Sequence, residues 1–166
     1  MKRYNALSVI VTLLIGACVV TPATPLSSAS SQDAQTAHDT LQTFFNLLNK
    51  GQYSEAVSLY GGTYETMRNN NPSIPPADLV ALMRNACEIN GIQCLKPRSI
   101  TLEKTTSSGE YLFQVEFQNQ DGSLFIRGPC CGASPTDQPP QSTFLYTVVK
   151  TPQEQFQVMD MPPYVP

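Results

Sequence analysis

The sequence is poor in the residues on which many enzyme active sites depend. It has one histidine, His38, and no Gly-x-Ser-x-Gly segment that would present a serine nucleophile on a sharp turn. A Ser-His-Asp arrangement would have to recruit Asp39 and a serine without that turn. His38 lies beside the apolar stripe of a predicted helix, so we expect a surface or half-buried position. The sequence therefore disfavours a serine hydrolase.

Basic residues are few and scattered. Lys and Arg together number 10 against 13 Asp and Glu, and the net charge is −3. A nucleic-acid-binding surface needs concentrated positive charge that replaces the counterions of the phosphates. Attachment to anionic lipid headgroups needs a similar cluster. We therefore expect no nucleic-acid partner and no membrane attachment through surface charge.

The apolar run near the N-terminus is too short for a permanent membrane span. It covers residues 6–17, follows two positive charges at Lys2 and Arg3, and is soon interrupted by Thr21 and Pro22. A spanning helix needs about 20 apolar residues. A short apolar run behind a positively charged start is the layout of a signal peptide. Residues 1–17 are therefore predicted to be a signal peptide.

The end of this run carries a specific motif. Residues 14–18 read Leu-Ile-Gly-Ala-Cys, which resembles the lipobox of bacterial lipoproteins. The resemblance implies cleavage before Cys18, diacylglycerol on its thiol and an acylated new amino terminus. Two or more acyl chains hold a protein firmly at a membrane, whereas one anchors it marginally. We expect a lipid-anchored extracytoplasmic protein, at the cell surface or in the periplasm; a secreted protein without lipid is the alternative.

The chain after Cys18 is low in both charge and bulky apolar residues. Residues 19–32 are mainly Thr, Pro, Ser and Ala, with one leucine and no charged residue. Such a stretch cannot bury enough apolar surface to offset its loss of conformational entropy. Residues 18–32 are therefore predicted to be a lipidated, disordered tether, and residues 33–166 a single domain.

Residues 33–166 predict helices followed by strands. Apolar spacing of three and four residues predicts a long helix from the N-cap Asp33 to Gly51 and a short helix that ends at Gly61. A third helix is predicted to begin at Pro75 and to end at Gly91. Alternating apolar and polar residues then predict strands over residues 95–104, 111–118, 124–127, 143–150 and 155–161. This order predicts an α+β domain, with the helices packed on one face of an antiparallel sheet of about four to five strands.

One segment carries a family resemblance. Residues 37–57, which read Ala-His-Asp-Thr-Leu-Gln-Thr-Phe-Phe-Asn-Leu-Leu-Asn-Lys-Gly-Gln-Tyr-Ser-Glu-Ala-Val, resemble the opening of the nuclear transport factor 2-like superfamily. There a long helix ends at a glycine, an aromatic residue and a short helix follow, and a third helix leads to a curved sheet. The resemblance implies a cystatin-like cone whose mouth can hold a small apolar ligand. Its members include isomerases, dehydratases and cyclases as well as binding and scaffold domains, so the fold assigns no activity.

The resemblance also suggests where catalysis would occur. Isomerases of this superfamily use a pocket carboxylate as the base, with a phenol or carboxylic acid as donor to an oxyanion. Strand parity places Asp160 on the same face as Phe156 and Val158, which makes Asp160 the candidate base. The candidate donors on apolar faces are Tyr60, Tyr111 and Tyr146. No other catalytic residue, no cofactor and no metal site is predicted.

The remaining cysteines are Cys87, Cys94, Cys130 and Cys131. An even number in an exported chain favours disulfides, and the lack of a Cys-x-x-Cys pair or a second histidine disfavours zinc. One pairing joins Cys87 to Cys94 and the two adjacent cysteines to each other; two others bridge the helix end to the loop of residues 128–141. We favour the bridging pairings because a vicinal disulfide requires a strained ring. A redox-active or zinc-binding Cys130-Cys131 cluster is the alternative.

Together these features predict a lipid-anchored, non-catalytic domain that binds a small apolar ligand or a partner protein of the cell envelope. Two alternatives remain open. The first is a cofactor-free isomerase or cyclase that uses Asp160 as its base. The second is a structural envelope protein that docks a partner through the loop of residues 128–141.

Overall fold

A computed structural model describes residues 27–166 of the chain. The predicted signal peptide, the predicted lipidation site Cys18 and the predicted tether up to residue 26 lie outside these residues. Four helices precede four strands: α1 (Ser27–Asn49), α2 (Tyr53–Leu59), α3 (Glu65–Asn70), α4 (Leu79–Glu88), β1 (Lys96–Thr105), β2 (Tyr111–Gln118), β3 (Thr143–Lys150) and β4 (Phe156–Val158). The predicted α+β architecture is confirmed. No helix within this part of the chain is both long and apolar enough to span a bilayer.

The long helix α1 begins earlier than the sequence predicts. It starts at Ser27, so residues 27–32, predicted as part of the tether, are helical here. Asp33 therefore lies within the helix and is not its N-cap. Its carboxylate pairs with Lys150 Nζ on β3 at 3.1 Å, which ties the first half of α1 to the sheet. The predicted end at Gly51 is confirmed by a φ of +70°, the left-handed conformation that closes many helices.

The short helices differ from the prediction in two places. Helix α3 falls in a stretch predicted to be a loop, because Met67 is its single buried residue and gives no apolar periodicity. Helix α4 begins at Leu79 and not at Pro75. Asp78 is its N-cap, and the Asp78 carboxylate accepts a hydrogen bond from the Ala81 N–H at 3.0 Å.

The sheet is an antiparallel meander in the order β1-β2-β3-β4. The observed bounds of β2 and β3 match the predicted ones. The predicted strand of residues 124–127 is reduced to single bridges, in which the Phe125 N–H donates to the Phe117 carbonyl at 2.9 Å. The predicted last strand, residues 155–161, is shortened to β4. Residues 159–161 therefore lie beyond the strand.

Helix α1 lies across the inner face of the sheet, and aromatic rings fill the space between them. The Phe45 ring packs edge-on against Phe117 and Tyr146, with centroids 5.0 and 4.8 Å away. We call this cluster the aromatic interior; its members are Phe44, Phe45, Phe113, Phe117 and Tyr146, all at most 2% exposed. The opposite face of the sheet is more polar, and there Ser99 donates to Glu116.

The disulfide pairing that we favoured from the sequence is wrong. Cys87 bonds to Cys94, and Cys130 bonds to Cys131. Gly91, with a φ of +81°, reverses the chain after α4 and returns Cys94 to within 5.5 Å of Cys87, measured between Cα atoms. The vicinal pair is accommodated by a left-handed backbone at Cys131, with a φ of 62°, a conformation that non-glycine residues seldom adopt.

Candidate ligand-binding pocket

A pocket of about 630 Å³ lies at one end of the domain. It is bounded on one side by the short helices and on the other by residues 159–166, which we call the post-β4 segment. Its volume falls within the range of small-molecule sites, about 300–1,000 Å³. The wall consists of Tyr60, Thr63, Thr66, Met67, Asn70, Ala86, Asn90, Ile92, Met159, Asp160, Met161 and Tyr164.

Two glycines after α2 bring the post-β4 segment against the helices. The Gly61 N–H donates to the Val158 carbonyl at 2.9 Å, which attaches the end of α2 to β4. A side chain at Gly62 would collide with the Met159 carbonyl oxygen. The Gly-Gly pair that the sequence marks only as a helix end therefore also permits the close approach that forms one side of the pocket.

The other side of the post-β4 segment is fixed to the turn after α4. The Gln93 N–H donates to the Pro163 carbonyl at 2.8 Å, and the Val165 N–H donates to the Gly91 carbonyl at 2.9 Å. A Cβ at Gly91 would collide with the Val165 carbonyl oxygen. These backbone bonds hold Tyr164 at the rim of the pocket.

A network of asparagines holds α3 against α4 behind the pocket wall. Asn71, only 7% exposed, donates to the Met67 carbonyl and to Asn90 Oδ1, both at 2.7 Å. Asn85 in turn donates to Asn71 Oδ1 at 2.9 Å. Because a buried amide without partners would be costly, this satisfied network fixes the two helices that carry much of the wall.

Asp160 lies on the pocket wall, two residues beyond the end of β4. Phe156 and Val158, with which strand parity grouped it, are buried. One carboxylate oxygen, Oδ2, accepts the backbone N–H of Thr147 at 2.7 Å. The Met159 N–H donates to the Thr147 carbonyl at 2.9 Å, so Met159 and Asp160 together continue the contact with β3 beyond the end of β4.

Only one of the three candidate donors lines the pocket. Tyr60 does so, but its hydroxyl donates to the Thr63 carbonyl at 3.1 Å. Burial, followed by the charge of Asp160, raises the pKa of Tyr60 to about 12. Tyr146 is buried behind the wall, and burial and then Asp160 raise its pKa as well. Tyr111 packs against Phe156 and is not part of the pocket.

Tyr64 is a feature that the sequence does not reveal. Its ring packs edge-on against Tyr60, with centroids 5.2 Å apart. Its hydroxyl is buried and has no hydrogen-bond partner among residues 27–166. Burial is the largest cause that raises the pKa of Tyr64 to about 12. Tyr64 does not line the pocket itself. It supports the wall from behind through its contact with Tyr60.

The remaining candidates lie elsewhere. His38 Nδ1 is 3.1 Å from the Asp39 carboxylate, and the His38 ring meets the edge of Phe113. Across the described chain, no three His, Cys, Asp or Glu side chains converge as metal ligands would. The Cys130–Cys131 pair borders a second hollow of about 380 Å³, which Tyr164 separates from the main pocket.

The wall could not be assembled from the sequence, because its members come from three separate stretches of chain, residues 60–70, 86–92 and 159–164. The strand parity of Asp160 was the one feature of the sequence that pointed to the wall. The methionines at positions 67, 159 and 161 gave no such signal. Comparison with protein families, with characterised proteins and with solved structures gave no match to this chain.

Proposed function

We propose that this domain binds a small, largely apolar molecule in the pocket and does not transform it. The proposal rests on one observation, a pocket of small-molecule size whose wall exposes more apolar than polar surface. It includes membership of the nuclear transport factor 2-like superfamily, which residues 37–57 resemble. It also includes a lipid anchor at Cys18 that holds the domain at the outer face of a cell membrane.

The composition of the wall supports an apolar ligand. Three methionines, Met67, Met159 and Met161, contribute thioether side chains. Methionine has three rotatable bonds and a polarisable sulfur, so it adapts to ligands of irregular shape. Ile92 and the ring of Tyr164 add further apolar surface. Polar groups on the wall would then orient the ligand.

The geometry around Asp160 favours binding over turnover. A cofactor-free isomerase needs a base and a hydrogen-bond donor aimed at the oxyanion that develops on the substrate. Asp160 is the only carboxylate on the wall. The hydroxyl of Tyr60 is already donated to the Thr63 carbonyl. Of the donors predicted from the sequence, only Tyr60 lies on the wall, and its proton is directed at Thr63 and away from an oxyanion beside Asp160.

A second candidate function is the cofactor-free isomerase or cyclase, which the position of Asp160 on the wall favours. If the domain is such an enzyme, Asp160→Asn abolishes turnover of an added carbonyl substrate while the thermal unfolding midpoint stays close to the wild-type value. If the domain only binds its ligand, as we propose, neither the wild-type protein nor the Asp160→Asn variant turns the substrate over. Docking of a partner through residues 128–141 has weaker support, because it gives the pocket no role.

Binding can be tested with 2-phenylethanol as a neutral apolar probe. The chain has five methionines, so ¹³C-methyl labelling gives a sparse NMR spectrum. We expect the methyl signals of Met67, Met159 and Met161 to shift on titration. Met83, which is fully buried and does not line the pocket, should not shift and serves as the internal reference.

A pair of neighbouring variants makes this test specific. Thr66 is exposed and lines the pocket, whereas Glu65 is exposed on the same helix and does not. Thr66→Trp should block the pocket and weaken probe binding about tenfold or more, while Glu65→Trp should leave it unchanged. Equal binding by both variants would place the probe elsewhere and refute the proposed site.

The anchor is tested separately by Cys18→Ser. Loss of one thiol should remove the lipid, shift the intact mass by the acyl groups, and move the protein out of the membrane fraction. Ala17→Gly, which keeps a small residue before the cysteine, is the control that should stay membrane-bound. Membrane retention of the Cys18→Ser protein without an acyl mass change would contradict the anchor.

A further inference from the structure

Asp160 is the only charged side chain on the pocket wall, where no lysine, arginine or histidine is present. It also lacks a cationic partner within residues 27–166, since the ion pairs found there use Asp33, Asp39 and Glu154. A wall with one carboxylate and no opposing positive charge attracts cations and repels anions.

The carboxylate of Asp160 is only partly used. A carboxylate has two oxygens and about four acceptor positions. Oδ2 accepts the Thr147 N–H at 2.7 Å, and Oδ1 has no hydrogen-bond partner in the described chain. The bond to the backbone fixes the orientation of the group, while Oδ1 keeps its capacity to accept a hydrogen bond from a ligand.

The surroundings of Asp160 leave its charge only partly screened by water. The carboxylate is half-buried on the pocket wall, two residues after the end of β4. Its charge contributes, after burial, to the raised pKa values of Tyr60 and Tyr146. Because water surrounds the group only in part, its attraction for a positively charged ligand in the pocket is stronger than it would be in bulk water.

Aromatic rings add a second attraction for positive charge. Tyr164 lines the pocket and is half exposed, and the face of a tyrosine ring attracts ammonium groups. Tyr60 also lines the pocket, with one face of its ring stacked on Phe44. The methionines on the same wall offer contact to an apolar body. The pocket therefore combines one acceptor for an ammonium N–H, aromatic rings and a flexible apolar surface.

We propose that the pocket selects amphipathic organic cations, namely ammonium compounds with an apolar body. The ammonium group donates a charge-assisted hydrogen bond to Asp160 Oδ1, and the apolar body contacts Met67, Met159 and Met161. This inference rests on the binding function proposed above and adds to it the chemical class of the ligand. Carboxylates of the same shape are rejected by the charge of Asp160.

Three probes of nearly equal shape separate the head group from the body: 2-phenylethylammonium, 2-phenylethanol and 3-phenylpropanoate. The full chain is supplied in micelles of a non-ionic maltoside detergent at neutral pH, because such a detergent carries no ammonium group that could compete with the probe. The shifts of the methionine methyl groups are followed during titration. Hydrogen bonds to charged groups are stronger than hydrogen bonds between neutral groups. We therefore expect the cation to bind about tenfold more tightly than the alcohol. The anion should bind most weakly.

Two variants test the role of the carboxylate. Asp160→Asn keeps an amide oxygen that can accept the Thr147 N–H, and it should lower the affinity for the cation about tenfold while the affinity for the alcohol changes less than about twofold. Asn70→Lys leaves Asp160 intact and places a positive charge on the wall, so it should weaken binding of the cation and strengthen binding of the anion. Asn69→Lys is the matched control, since Asn69 is exposed beside Asn70 but is not on the wall.

The outcomes distinguish this inference from the function on which it rests. Equal affinity for the cation and the alcohol in the wild-type protein would overturn the cation selectivity alone. The same holds if Asp160→Asn keeps the preference, or if Asn69→Lys changes it as much as Asn70→Lys does. If none of the three probes shifts the signals of Met67, Met159 and Met161, both the binding function and its selectivity are overturned.

Discussion

The aromatic interior and the pocket wall are built from different side chains, and only the aromatic interior is filled. The aromatic interior consists of rigid rings that interlock between α1 and the sheet, such as Phe45 against Phe117 and Tyr146. The pocket wall instead combines methionine, threonine and asparagine with two tyrosines. Rigid rings complement one another in a way that fills volume. The flexible and small side chains at the other end leave a cavity.

The two regions also differ in how their backbones are held. The aromatic interior lies between regular elements that pack along their length. The pocket lies between short helices and the post-β4 segment, which are joined by backbone hydrogen bonds at Gly61 and Gly91. Close contact at glycines positions these segments without filling the space between them. Stability should therefore reside mainly in the first region and ligand binding in the second.

The largest expected effect separates the two regions directly. Phe45→Ala removes a fully buried ring from the aromatic interior and should lower the free energy of unfolding by about 3–5 kcal/mol. Met161→Ala removes a half-buried side chain from the pocket wall and should cost about 1 kcal/mol. Urea denaturation of both variants measures the difference. Similar losses would mean that the pocket wall is as important for stability as the interior.

The disulfides extend the comparison to the two cysteine pairs. Cys87–Cys94 joins the end of α4 to the chain that leads into β1, and it closes a longer loop than the vicinal pair does. The chain-entropy model gives about 2–3 kcal/mol for the former and about 1 kcal/mol for the latter. Cys87→Ser/Cys94→Ser should therefore lower the unfolding midpoint more than Cys130→Ser/Cys131→Ser. The reverse order would show that the loop of residues 128–141 supports the core.

Alkaline pH should weaken the region behind the pocket. Burial is the largest cause that raises the pKa values of Tyr60 and Tyr64 from 10.0 to about 12. Their protonated forms thus stabilise the fold fully below pH 10, and this contribution is lost as the pH rises towards 12, because the unfolded phenols release their protons first. We expect a loss of about 1–2 kcal/mol over that range.

The matched control for the alkaline titration is the double variant Tyr60→Phe/Tyr64→Phe. Without the two phenols, the free energy of unfolding measured by urea denaturation should fall less between pH 10 and 12. An equal fall in the variant and in the wild-type protein would assign the effect to other groups, such as Tyr146, whose pKa is also raised by burial.

The smallest expected effect distinguishes the same two tyrosines. Tyr64→Phe removes a buried hydroxyl that has no partner in the described part of the chain, so it should raise the free energy of unfolding by about 1 kcal/mol. Tyr60→Phe removes the hydrogen bond to the Thr63 carbonyl and should lower it by about the same amount. Differential scanning calorimetry measures the change in stability of each variant. A destabilised Tyr64→Phe protein would mean that the Tyr64 hydroxyl has a hydrogen-bond partner in solution.

The filled region could be predicted from the sequence more fully than the pocket. The alternation of apolar and polar residues is a local signal, and it predicted β2 and β3 with their observed bounds. Gly51 and Gly61 likewise marked helix ends. Helix α3 was missed because its sequence, Glu-Thr-Met-Arg-Asn-Asn, contains one apolar residue, and the N-terminal start of α1 was missed because serine and alanine alone give no amphipathic pattern.

The pocket depends on contacts that no local pattern encodes. Strand parity grouped Asp160 with the buried Phe156 and Val158, but nothing in the sequence shows that β4 ends at Val158 and releases Met159 and Met161 to the wall. Nor does the spacing of Cys87 and Cys94 fix their pairing. Gly91 determines it, because its left-handed backbone returns the chain towards α4. Such features arise when distant segments meet.

The most direct test of the proposed pocket is an intermolecular NOE measurement on the ¹³C-methyl-methionine protein with 2-phenylethylammonium. The account predicts NOEs from the phenyl protons of the probe to the methyl groups of Met159 and Met161, and none to Met83. It also predicts that these NOEs vanish in Thr66→Trp and persist in Glu65→Trp. NOEs to Met83, or NOEs that survive in Thr66→Trp, would contradict the claim that this end of the domain is a ligand-binding site.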